Sequence, residues 1–205
     1  MDGLEECIGV AREAVKAASP DHPDRAELLN NLGILLGKRY LRTGAINDLE
    51  ESIGVAQEAV KAASPDHPDR AELLNNLGIL LRKRYLRTGA INDLEESIGV
   101  AGDAVKAAPK DHPDRATRLN NLGNRLSDRY PRTGAMDNVE AAIDMAREAV
   151  NATPEDHPDR ATRLNNLENQ LSDRYSYDSH ASYNNGRVVP RVLPPTHEIR
   201  SLEDI

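Results

Sequence analysis

Apolar residues fall at steps of three and four along most of this chain, the spacing of one buried helix face. Between Pro68 and Gly89 the stripe is Ala71, Leu74, Leu77, Gly78, Leu81 and Tyr85. Between Ala90 and Pro109 it is Leu94, Ile98, Ala101, Val105 and Ala108. The first stretch predicts a helix, A, of about 20 residues and roughly 30 Å. Pro68 suits its first turn, Asp66 or His67 offers a cap, Asp69 stands at the positive end of the dipole, and Gly89 supplies the stop. The second stretch predicts a helix, B, capped by Asn92 or Asp93 and stopped by Pro109. The short Thr-Gly connection makes A and B antiparallel neighbours.

The pattern itself repeats every 45 residues: Asp-His-Pro-Asp-Arg-Ala recurs at 21–26, 66–71, 111–116 and 156–161. A period of this size means stacked supersecondary units. Each buried Leu or Ile contributes only about 1.5–3 kcal/mol. One hairpin cannot offset its ordering entropy with so few of them, so neighbouring hairpins must stack. The expected architecture is all-α, a superhelix of about eight antiparallel-paired helices spanning residues 1–175. It opens with a lone B helix at 2–18, continues with A/B pairs at 23–63, 68–108 and 113–152, and closes with an A helix at 158–175. Pro131 stands where the other units have Leu41 and Leu86, and predicts a helix that stops near Tyr130 or bends there. From Ser176 the composition turns to Tyr, Ser, Asn, Gly and Pro, and residues 176–205 read as an irregular tail. Val188, Val189, Val192 and Leu193 form a short apolar piece that could fold back onto the last A helix.

Glycine inside a helix costs about 1 kcal/mol relative to alanine. Even so it recurs at Gly33, Gly78 and Gly123, always after Leu, and close approach of helix B with no room for a Cβ would explain it. The fourth unit has Glu168 at that position, where no helix B is expected to follow.

Composition narrows the function. A net charge of −8 speaks against nucleic acid as a partner, since phosphate binding needs a basic face. There is no long apolar run, so no membrane span is expected. Cys7 is the lone cysteine and stands where the next unit has Ser52, so it reads as a small tolerated residue in a reducing, cytoplasmic setting. The histidines come one per unit, which places them about 10 Å apart in a stack and outside metal-ligand geometry. They read as turn caps, and the adjoining Asp-Arg as part of an ion-pair ladder between units. No phosphate loop, nucleophile elbow or paired-cysteine site is present, so no cofactor, metal or catalytic residue is expected. Residues 26–56 and 71–101 differ only at Gly37 versus Arg82; copied units supply one surface twice, whereas catalysis needs unlike residues in unlike roles.

His67-Pro68-Asp69-Arg70-Ala71 followed by Leu74-Asn75-Asn76-Leu77-Gly78 resembles the tetratricopeptide repeat, in the longer form found in kinesin light chains and large fungal multi-repeat proteins. The resemblance covers residues 2–175 and implies a right-handed superhelix acting as a protein-interaction scaffold. Two features depart from the family: Leu replaces the usual aromatic in the first helix, and the lysine–asparagine clamp for a terminal carboxylate is missing. Some relatives append such arrays to nucleotide-binding or protease-like domains, which gives an alternative reading as a regulatory array.

In the family the A helices line a concave groove. Carried onto this chain, the resemblance places Asn30, Asn31, Ile34, Lys38, Asn75, Asn76, Ile79, Arg82, Lys83, Asn120, Asn121, Asn124, Asn165, Asn166 and Asn169 along it. An amide offers donors and an acceptor, so the asparagine ladder is expected to hold an extended peptide by its main chain. The first half adds isoleucines and cations and the second half adds Asp128 and Asp173, which matches a ligand acidic at one end and basic at the other. Partner helices in the groove, and self-association through the terminal helices, are the other expected interactions.

Overall fold

The structure, a computed structural model, describes residues 3–183, with side chains to residue 177. It is all-α: α1 (Gly3–Ala17), α2 (Arg25–Thr43), α3 (Ile46–Ala62), α4 (Arg70–Thr88), α5 (Ile91–Ala107), α6 (Arg115–Thr133), α7 (Met136–Asn151) and α8 (Arg160–Tyr183). No strand occurs among the described residues. The chain divides between Ala107 and Ala108 into two compact units. The first holds α1 and the hairpins α2–α3 and α4–α5; the second holds the hairpin α6–α7 and α8. The apolar piece at 188–193 lies outside the described residues.

Helices α2, α4 and α6 each end as the glycine after them requires. Gly44, Gly89 and Gly134 take left-handed backbone, with φ of 70°, 74° and 65°. Each donates its N–H to the carbonyl of the tyrosine four residues back, at 2.7, 2.7 and 2.8 Å. The next helix is started by a threonine rather than by the expected Asn or Asp. Thr43 Oγ1 accepts the N–H of Ala45, and Thr88 Oγ1 that of Ala90, both at 3.2 Å. Asp93 is instead taken by Arg84, whose Nε and Nη2 reach its two oxygens at 2.9 and 2.7 Å. That bond to Asp93 holds the Arg84 guanidinium above its ordinary pKa, against the pull of desolvation. Arg39 and Asp48 make the same pairing in the preceding hairpin.

Expectations at the helix ends need correction. The A helices start at Arg25, Arg70, Arg115 and Arg160, two residues past the expected starts in each unit, because the Pro-Asp pair belongs to the turn. Asp24, Asp69 and Asp114 precede their helices without a side-chain capping bond. The turn is held by the histidine, whose Nδ1 accepts the N–H two residues on: Asp24, Asp69, Asp114 and Asp159, at 3.1–3.2 Å. The arginine of the motif joins no ion-pair ladder with its aspartate. Arg70 Nη1 donates to the carbonyls of Val60 and Ala63 at 3.3 and 2.9 Å, Arg25 Nη1 likewise to those of Val15 and Ala18, and Arg160 Nη1 to those of Val150 and Thr153. A cation thus caps the negative end of each preceding B helix. Ion pairs that join α1 to the hairpin after it use other residues: Arg12 meets Glu51 of α3 at 2.7 Å, and Glu5 meets Arg39 of α2 at 3.0 Å.

Pro131 neither ends nor shortens α6, which runs to Thr133. Within the last turn, proline removes only the bond to the carbonyl four residues back, and its fixed φ is already helical. Finally α8 continues to Tyr183, beyond the expected end at Tyr175, since Ser179 stands where the other units have their stop glycine.

The core is built from small repeated clusters. Tyr40, Leu49, Ile53, Ala56, Leu77, Leu80 and Leu81 form one, shared by two successive hairpins. Leu73 packs with Ala26, Leu29, Ala59 and Ala63 in another. In the second unit Tyr130, Val139 and Ile143 are buried, with Met136, Leu167 and Tyr177 against them. Stacking of hairpins therefore buries what each alone would expose.

Candidate functional site

Adjacent A helices meet through a column of residues offset by 46. In the first unit Asn76 Nδ2 of α4 donates to Asn30 Oδ1 of α2 at 3.0 Å. Leu73 and Leu80 flank that amide pair and are buried. In the second unit Asn166 Nδ2 of α8 donates to Asn120 Oδ1 of α6, again at 3.0 Å. Here the flanking residues are polar. Arg163 stands where Leu28 and Leu73 do, and Gln170 where Leu35 and Leu80 do. Gln170 Nε2 donates to Asn124 Oδ1 at 3.4 Å, and its Oε1 is buried without a partner.

Arg163 is 4% exposed. It donates to Thr153 Oγ1 at 2.5 Å, to Thr117 Oγ1 at 2.8 Å and to Asp159 Oδ2 at 3.2 Å. Burial lowers its pKa, while Asp159 and Asp114 oppose the shift. Sequence reading missed this arginine. The one available signal was its replacement of an apolar residue on the face between A helices.

The expected groove residues therefore separate into two groups. Asn30, Asn76, Asn120 and Asn166 join helix to helix and so form part of the fold itself. Asn31 and Asn165 are exposed, one on each outermost A helix, and Lys38 and Asn169 are exposed too. Ile34, Asn75, Ile79, Arg82, Lys83, Asn121 and Asn124 are half-buried. Asn30, Ile34, Asn76 and Ile79 are brought together with Gly33, Gly37, Ala56 and Leu80 around a cleft of about 20 Å³. That space admits a methyl group or one water, since a water needs roughly 10–15 Å³. Gly37 matters here: a Cβ on it would stand 3.4 Å from Leu80 Cδ2. Asn31 instead borders a wider cleft of about 560 Å³ with Cys7, Val10, Ala11 and Ala14 of α1 and Leu28 of α2.

Among the described residues no helix is long and apolar enough to cross a membrane. Nor, among them, do three His, Cys, Asp or Glu side chains come together in a way that could hold a metal ion.

Paired helices, a fixed period and one recurring face between A helices define an all-α helical-repeat protein. The chain belongs to the tetratricopeptide repeat family, which matches at residues 25–69, 70–114 and 115–159. Among solved structures it is similar to a kinesin-light-chain-type protein of Podosopora anserina with nearly identical TPR-like repeats. Identity there is 16%, coverage 88% of this chain and 89% of that one, and the TM-score 0.59. A de novo designed helical repeat protein matches at 19% identity over 90% and 81% of the two chains, with a TM-score of 0.35. The likeness to the Podosopora anserina protein concerns the fold alone. No match to a curated protein was found. The tetratricopeptide array is a general scaffold for protein interaction.

Proposed function

We propose that this chain acts by binding rather than by catalysis, taking an extended, acidic and partly apolar peptide across α2 and α4. The observation that carries this reading is the shallow cleft between Ile34 and Ile79, with Lys38, Arg82 and Lys83 about one helical turn further along the same two helices. A cleft of about 20 Å³ favours a ligand held by its main chain and small side chains over one with a large anchor.

The test uses a fluorescent peptide library of graded charge against the 205-residue protein. Acidic peptides carrying small apolar residues should bind best. Reversing Lys38, Arg82 and Lys83 to Glu should weaken them at least tenfold in low salt, and less at high salt, where exposed charges are screened. Equal affinity of the reversed variant would reject the reading.

A further inference from the structure

Helix α8 carries the stripe that α2 turns toward the B helix after it. Leu164, Glu168, Leu171 and Tyr175 are the counterparts of Leu29, Gly33, Leu36 and Tyr40. In α2, Leu29, Leu36 and Tyr40 are 1%, 0% and 6% exposed, packed with Ala59, Val55 and Ile53 of α3. In α8, Leu164, Leu171 and Tyr175 are 45%, 37% and 75% exposed, and among the described residues no B helix follows to cover them.

Helix α1 is the converse, a B helix with no A helix ahead of it among the described residues. Its Cys7 and Val10 are the counterparts of Ser52 and Val55. Ser52 is fully buried on α2, whereas Cys7 is exposed and Val10 is 66% exposed. Both border the cleft of about 560 Å³, together with Leu28 and Asn31 of α2. The counterparts of these last two, Leu73 and Asn76 of α4, are the residues that meet the preceding A helix, α2. Each helix thus gives the cleft a face that, one unit on, receives an A helix.

We propose that α8 of one copy of this chain seats in the α1–α2 cleft of a second copy, in the register that α2 takes on α3. The amide column supports that register. Asn31 holds the donor position from which Asn76 and Asn166 donate, and Asn165 holds the acceptor position of Asn30 and Asn120. Both are exposed, and the register brings Asn31 Nδ2 to Asn165 Oδ1. Glu168 limits the affinity. A Cβ at its position has room, since one on Gly33 would have Ser52 O as its nearest atom, at 3.6 Å. Its carboxylate, however, is carried in beside Val10 with no cation to meet it, at the cost of desolvation. Gly3 also stands where Asp48 and Asp93 take an arginine, so the joint lacks that ion pair. The contact is therefore weak and forms at high protein concentration. It is also heterologous, and leaves each copy with one face still open.

The experiment is sedimentation equilibrium of the 205-residue protein up to about 1 mM. The mean mass of the parent should rise with concentration. Val10→Glu blocks the α1 face and Leu171→Glu the α8 face; both side chains are exposed, and unchanged helical ellipticity will confirm folding. Each variant alone should stay monomeric. Their equimolar mixture should form a dimer and nothing larger, because one intact face of each kind remains. Glu168→Ala should tighten association of the parent by about tenfold. A parent and a Glu168→Ala variant that both stay monomeric overturn the proposal. So do a mixture no heavier than its parts and an association that either blocking variant leaves intact, because the contact then lies elsewhere.

Discussion

Ser52 donates a hydrogen bond of 2.7 Å to the carbonyl oxygen of Gly33, locking α3 onto the middle of α2; Ser97 and Gly78 repeat it at 2.9 Å. Both serines are fully buried. The glycine of this pair had one explanation from sequence, that a Cβ would not fit, and the structure separates the units on that point. A Cβ on Gly33 would have its nearest neighbour, Ser52 O, at 3.6 Å, an ordinary contact. On Gly123 it would stand 3.1 Å from the backbone oxygen of Ala142, which cannot yield as a side-chain tip could. Gly33→Ala should therefore be neutral or stabilise by up to about 1 kcal/mol, the helix-propensity difference. Gly123→Ala should destabilise in spite of that gain. Urea unfolding followed by ellipticity distinguishes the two, and an equal loss in both would contradict the packing described.

The amide pair Asn30–Asn76 yields a second prediction. If it joins α2 to α4, replacing either residue with Ala should cost about 1 kcal/mol, and the double variant should show coupling of about 0.5–1.5 kcal/mol in a mutant cycle. Asn31→Ala lies outside that bond and should leave stability within about 0.5 kcal/mol. Strictly additive losses would mean that the 3.0 Å contact contributes nothing to the fold.

Much of this organisation was legible in the sequence, and the rest was hidden for identifiable reasons. Period and helical stripe depend on which side chains are apolar, and these fixed the hairpins, their order and the glycine stops at Gly44, Gly89 and Gly134. The role of Arg70 was hidden because its partners are main-chain carbonyls of Val60 and Ala63, which leave no trace in side-chain identity. The same holds for the threonine starts of α3 and α5. The asparagine ladder was visible as a ladder, but an amide serves a neighbouring helix and a ligand equally well, and only the offset of 46 between partners shows which members are committed. Pro131 was over-read as a stop: proline interrupts only the helical bond to the carbonyl four residues back, and here the helix is about to end.

Arg163 tests how a buried cation is tolerated where the first unit has leucine. The guanidinium donates to two threonine hydroxyls and one half-exposed carboxylate, and burial opposes its charge. Replacing a buried polar group with an apolar residue of similar volume is often close to neutral, whereas truncation leaves a void and orphaned partners. Arg163→Leu should therefore stay within about 1 kcal/mol of the parent, and Arg163→Ala should lose about 2–3 kcal/mol. If Leu costs as much as Ala, the hydrogen bonds to Thr117 and Thr153 are what matter, and the leucine of the first unit is no guide to this position.

Tyr177 supplies a pH-dependent prediction. Its ring meets that of Tyr130 with centroids 4.0 Å apart, closing the apolar cluster around Val139 and Ile143. Burial, helped by the negative charge of Asp173 and by Tyr130, pushes its hydroxyl from 10.0 up to about 12. The folded state thus keeps a proton that the unfolded chain gives up near pH 10. Between about pH 10 and pH 12 the unfolded state binds fewer protons than the folded one, so this contribution to stability is whole below pH 10 and is lost as pH rises through 12. Ultraviolet titration should show Tyr177 ionising late, at about 12 rather than 10.0, with unfolding of the second unit setting in over that window. Tyr177→Phe should remove the late step and flatten the dependence of stability on pH between 10 and 12, while leaving the Tyr130 ring covered. A titration in which Tyr177→Phe still shows the delayed ionisation would place it on another tyrosine and detach it from this cluster.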